Sequence, residues 1–70
     1  MKNRFAERLK ELRTEAGLTQ EQLSKALNGE ITPSAIGLWE LKKRTPNLDA
    51  VMILAEYFGV TLDYIAGFED

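Results

Sequence analysis

The residues best suited to chemistry lie together in TPSAIGLWELKKR, from Thr32 to Arg44. Lys42, Lys43 and Arg44 close that stretch. Three cations directly after a short helical segment suit the phosphates of a nucleic acid. A charge run is more often a plain solvated face, so it is their place beside that segment that favours phosphate contact. Ser34 offers a hydroxyl, whereas Gly37, Leu38 and Leu41 offer shape and apolar surface. The chain has no His and no Cys. That excludes ordinary zinc sites, Cys/His or Ser/His catalysis and disulfides. No paired carboxylates, Gly-rich phosphate loop or nucleophile–base set can be drawn from what remains. Neither an enzyme nor a cofactor or metal is expected.

These residues need a scaffold, and the punctuation of the chain predicts an all-α one of five short helices. Phe5, Leu9, Leu12 and Ala16 follow the spacing of a buried stripe, and Gly17 stops that first helix. Thr19 and Gln22 form a capping box for a second helix over Gln20–Leu27, with Leu23, Ala26 and Leu27 inward. Thr32 caps and Pro33 opens a third, running to Leu41 or Lys42. Asn47 caps a fourth, whose inner stripe is read as Leu48, Val51, Met52, Ala55 and Phe58. Thr61 opens a last one, LDYIA, ended by Gly67. No strand pattern, repeat or linker interrupts this compact bundle, which is read as one domain over residues 1–70. Helices two and three, joined by a turn containing Gly29, have the outline of a helix-turn-helix.

The net charge of −2 is unevenly spread. All nine Lys and Arg lie within residues 1–45, and residues 46–70 carry only acids. Such a dipolar chain either offers a basic face to a polyanion or packs its two ends together. No apolar run approaches a membrane span, and MKNRFAERLK is too charged for a signal peptide, so a cytoplasmic location is expected.

The segments LKELRTEAGLTQEQLSKAL and ITPSAIGLWELKKRTPNLDAVMILAEYFGVTLDYIAG resemble the Cro and phage-repressor type of helix-turn-helix domain, often called the XRE family. The resemblance runs from about Phe5 to Gly67. It rests on GLTQEQL, on the Ile36, Trp39 and Glu40 pattern, and on the basic loop, Pro, helix and Gly that follow. It implies a five-helix lambda-repressor-like fold and sequence-specific binding of duplex DNA by a transcriptional regulator, most often a repressor. It also implies helix three in the major groove and a homodimer, with the C-terminal segment (Tyr64, Ile65, Phe68) contributing to the dimer. On a helical wheel Ile36, Trp39 and Glu40 share one face, so the first two are read as core anchors. The resemblance supplies Arg13 as the partner of Glu40 in a structural ion pair. It likewise makes Gln20 a phosphate contact. Pro33, Ser34, Gly37, Leu38 and Leu41 match its base-contacting positions; Thr32 is added to the expected DNA-binding set, and the place of Lys42, Lys43 and Arg44 beside that helix puts them on phosphates.

The chain departs from that pattern in two ways. Its reading face has a single hydrogen-bonding side chain, Ser34, and otherwise offers Leu38 for contact with a thymine methyl. The turn NGEIT is two residues longer than a minimal family member needs, and its Glu30 would be repelled by a DNA backbone. A protein-interaction module or an antitoxin on the same fold is the competing reading, carried by Leu38, Leu41 and the apolar C-terminal residues.

Overall fold

A computed structural model describes residues 4–68. Five helices follow one another: α1 (Phe5–Glu15), α2 (Gln20–Ala26), α3 (Pro33–Glu40), α4 (Leu48–Phe58) and α5 (Leu62–Ala66). No strand occurs among the described residues. The described residues fill about 31 × 25 × 21 Å. α3 packs on both α1 and α2, and α5 packs on both α1 and α4. α1 is therefore the element against which α3 and α5 are both set.

Capping side chains start four of the helices. Thr19, Thr32, Asn47 and Thr61 each accept a hydrogen bond from the backbone N–H three residues on. Gln22 returns a bond to the Thr19 N–H, completing the capping box. All five helices stop with a left-handed residue: Gly17, Asn28, Lys42, Gly59 and Gly67. After each, the next N–H bonds back to a carbonyl in the last helical turn, for example Lys43 N to Leu38 O at 2.9 Å. Two of these stops are not glycine, so Asn28 and Lys42 hold a backbone conformation that costs most side chains on the order of 1 kcal/mol.

The core is built from Phe5, Leu9, Leu23, Leu27, Ile31, Ile36, Trp39, Ala50, Leu54, Ala55 and Ile65. Phe5 meets Trp39 edge-on, with ring centroids 6.0 Å apart. Several expectations need correction. Ala16 and Ala26 are exposed, and Arg8 and Ser24 are buried instead. Arg8 can go inside because its guanidinium lies 4.1 Å from the Tyr64 ring centroid and donates to the Tyr64 carbonyl at 3.3 Å. On α4 the buried side chains are Ala50, Leu54 and Ala55, while Leu48 and Met52 face solvent. Ile65, expected at a dimer surface, is wholly buried and closes the core, so it cannot touch a second copy. Tyr64 and Phe68 stay exposed.

Gly67 sits where the chain start crosses the end of α5. Arg4 N donates to Ala66 O at 3.0 Å, and a Cβ on Gly67 would collide with the Arg4 backbone. Gly59 has the same left-handed backbone with open space around it. Gly59→Ala should thus lose about 1 kcal/mol, from backbone strain alone. Gly67→Ala should lose at least about twice that, because strain and collision combine. Urea unfolding of the two variants checks the difference, and equal losses would remove the packing role of Gly67.

Candidate nucleic-acid interface

α3 is fastened along one side. Ile36 and Trp39 enter the core, and Glu40 follows them on the same face. Arg13, in the last turn of α1, meets Glu40 in a two-pronged pair. Its Nε donates to Oε2 at 2.7 Å and its Nη2 to Oε1 at 2.9 Å. A third guanidinium donor, Nη1, reaches the Leu18 carbonyl at 2.8 Å, just before α2 begins. One side chain therefore ties α1, the entry to α2 and the end of α3. Both partners are largely shielded, with side-chain exposures of 12% and 6%. The hydrogen bond to Glu40 raises the Arg13 pKa above its ordinary value, against the opposing effect of burial. A raised arginine pKa leaves the group charged below its unfolded value, so this contribution is present throughout the range in which proteins are handled.

Gln20 joins the same network. Its Nε2 donates to Glu40 Oε1 at 3.2 Å. The side chain runs across Gly37, where an added Cβ would lie 3.2 Å from Gln20 Oε1. Gly37 is thus a seat for Gln20 as well as a gap in the outer face of α3, which the sequence did not reveal. Gln20, Thr19, Pro33 and Ser34 share a shallow, open depression at the paired starts of α2 and α3, with Arg13 at its edge. Thr32 spends its hydroxyl on the Ala35 N–H, so its part is to set the start of α3. Ser34 is exposed, Leu38 is half-buried and Leu41 is 66% exposed.

The basic loop divides. Lys42 holds the left-handed stop of α3, and its Nζ donates to Glu7 Oε2 on α1 at 3.0 Å. Lys42 and Arg44 both line a depression of about 620 Å³ between α1 and α4, together with Phe5, Trp39 and Phe68. Lys43 and Arg44 are exposed. Lys42 therefore departs from the expected row of three equivalent cations. The Lys42 hydrogen bond holds the Glu7 carboxyl below its ordinary value, as does a bond from the Glu7 backbone. A lowered carboxyl contributes stability above its unfolded pKa and loses it as the pH falls through the folded value. Both side chains are exposed, Lys42 at 66% and Glu7 at 44%, which keeps that contribution small. Glu30 is exposed in the turn after α2, where Asn28 and Gly29 are both left-handed and Ile31 returns to the core.

Two short helices at a fixed corner, the second pinned by one face and open on the other, define a helix-turn-helix. The family described as Helix-turn-helix matches residues 9–65. The chain belongs to this family, in its Cro and phage-repressor (XRE) branch, whose members are DNA-binding transcriptional regulators. It is 38% identical over 66 residues to the HTH-type transcriptional activator BcrR of Enterococcus faecalis, covering 94% of this chain and 31% of BcrR. It is equally 38% identical over 66 residues to the HTH-type transcriptional regulator YobD of Bacillus subtilis, covering 94% of this chain and 57% of YobD. The SPbeta prophage-derived HTH-type regulator YonR of the same bacterium is 34% identical over 61 residues, covering 87% of this chain and 55% of YonR. The chain thus spans between about a third and somewhat over half of the length of these relatives. No solved structure matches it significantly.

No three carboxylates converge as a metal site among the described residues, and no helix there is long and apolar enough to cross a membrane.

Replacing Arg13 by Met leaves a shielded Glu40 carboxylate without its cation. The variant should lose about 3 kcal/mol of folding stability. Pairing it with Glu40→Leu should restore most of that loss, since the remaining charge is removed as well. Denaturant titration of the single and double variants is the measurement. An unchanged midpoint for Arg13→Met would show that the pair does not hold the corner.

Proposed function

We propose that this chain binds duplex DNA in a sequence-specific manner as a transcriptional regulator, with α3 lying in the major groove. The observation that carries the reading is the pinning of α3. Ile36, Trp39 and Glu40 hold it from behind, which leaves Ser34 and Leu41 exposed and Leu38 half-buried. A helix held in that way fits the major groove, where each base pair shows its own donor and acceptor pattern. Gln20 supplies a backbone phosphate contact from the depression that it lines with Thr19, Glu21, Pro33 and Ser34, and the Ser34 N–H at the start of α3 adds a second donor, since Pro33 has none and Ala35 gives its own to Thr32. Lys43 and Arg44 supply phosphate contacts beyond the other end of α3. Lys42 supplies one only by giving up Glu7, a weak and exposed pair.

Base reading then rests on few groups. Ser34 does not choose strongly between bases, and Leu38 recognises a thymine methyl. The remaining selectivity comes from water and from DNA shape. Repression is the proposed sign of regulation, because a bound domain needs nothing further to block a promoter. Access to a bacterial or phage chromosome places the chain in the cytoplasm. A homodimer is proposed through Tyr64 and Phe68. Leu41, exposed at the end of α3, supports a second reading in which this face meets protein, as in an interaction module or an antitoxin.

Selection from random duplexes at stated salt should enrich a short motif. No enrichment at low salt would leave the interaction module in its place. Lys43→Ala and Arg44→Ala should each weaken all sequences alike and lower the salt slope by about one, with a smaller change for Lys42→Ala. Gly37→Ala should displace Gln20 and weaken DNA binding. At the same time it should hold or raise the melting temperature, since glycine inside a helix costs up to about 1 kcal/mol. Sedimentation at high concentration should show a dimer that Phe68→Ser weakens, and a monomer there would remove the dimer.

A further inference from the structure

One face of α4 meets the core only through half-buried Ile53 and takes no part in the proposed DNA contacts. Asp49, Met52, Ile53, Glu56 and Tyr57 recur at the spacing of a single helical stripe. That stripe and the end of α2 with its turn line a groove of about 530 Å³, to which Glu30 also contributes. Met52 and Tyr57 are 48% and 43% exposed, and Ile53 is half-buried. Methionine and tyrosine are side chains that interfaces favour, and methionine adapts its shape to what it meets. The three other named residues, Glu30, Asp49 and Glu56, are exposed carboxylates, and no Lys or Arg is among the residues lining the groove.

We infer that this groove docks a basic amphipathic helix of a partner protein. The charge of the groove is of one sign, so it selects a cationic partner and opposes an acidic one. The spacing favours a helix. Asp49 and Glu56 lie two turns apart, about 10 Å along the axis of α4, which cations seven residues apart on a neighbouring helix would match. An apolar stripe on that ligand would cover Met52, Ile53 and Tyr57, as in other helix-in-groove recognition. The groove lies at the C-terminal end of α2, whereas the depression holding Gln20 and Ser34 lies at its N-terminal end, and no residue lines both. The inference stands whether or not DNA is the partner of α3.

The test uses a labelled Leu/Lys amphipathic peptide of about fourteen residues, and its Leu/Glu counterpart, titrated with the full chain by fluorescence anisotropy. The Leu/Lys peptide should bind and the Leu/Glu peptide should not. Glu30→Lys combined with Glu56→Lys should weaken binding by about tenfold or more, and Met52→Asn should weaken it too. Glu11→Lys combined with Glu15→Lys changes the net charge equally on the exposed side of α1 and should leave binding within about twofold. Circular dichroism melting of each variant establishes that it is folded at the titration temperature. Absence of binding, or an equal loss in both charge-reversed proteins, would overturn the inference. So would sedimentation showing that Glu30→Lys with Glu56→Lys splits a dimer, because the occupant would then be a second copy of this chain.

Discussion

The corner between α2 and α3 depends on a single guanidinium. Arg13 makes three directed hydrogen bonds, two to Glu40 at the end of α3 and one to the Leu18 carbonyl before α2, so it reaches both sides of the corner. Planar donors in a fixed fork impose angles as well as distances, which an ammonium on a flexible stem would not. Glu40 is shared further with Gln20, so the starting side chain of α2 and the final residue of α3 are set by one carboxylate. A shielded ion pair adds little net stability relative to apolar packing. What this one adds is orientation, because sliding α3 along α2 would break several of these bonds together.

The helix boundaries were almost wholly legible in the sequence, and the reason is local. Thr19, Thr32, Asn47 and Thr61 satisfy N–H groups only three residues away, so their effect does not depend on the rest of the fold. Burial was less legible, because it depends on neighbours. LDAVMILAEYF is apolar nearly all round, and its periodicity admits a stripe through Leu48 and Met52 as readily as one through Leu54. In the fold Leu54 joins the core that Ile65 of α5 closes, which leaves Leu48 and Met52 outside. Arg8 reads as a surface cation until Tyr64 covers it. Ile31 reads as part of a turn, yet it carries the chain back into the core after two consecutive left-handed residues.

The candidate interface was legible in type and less so in detail. The partnership of Arg13 with Glu40 came from family resemblance, since nothing in residue spacing alone links positions 13 and 40. Gly37 read as a gap for close approach. Its relation to Gln20 is a contact between two helices and leaves no mark in either helix's own pattern. Lys42, Lys43 and Arg44 read as one run, but the left-handed stop at Lys42 turns successive side chains in different directions. All three cations are exposed, yet Lys42 is paired with Glu7 of α1 and Arg44 lines the same depression as Lys42.

If α3 lies in the major groove as proposed, that stop also limits how much the chain can know about a DNA sequence. α3 has eight residues before the reversal at Lys42, and so a length of about 12 Å. Base pairs follow one another about every 3.4 Å, which gives such a helix at most about four to inspect. Even error-free reading of four positions separates one site from on the order of a few hundred, against the 10⁶ or more competing sites in a genome. The information missing from one helix has to be multiplied, through repeated half-sites, DNA shape or a companion protein on the same stretch. The short reach of α3 thus makes selectivity a property of assemblies rather than of one folded chain.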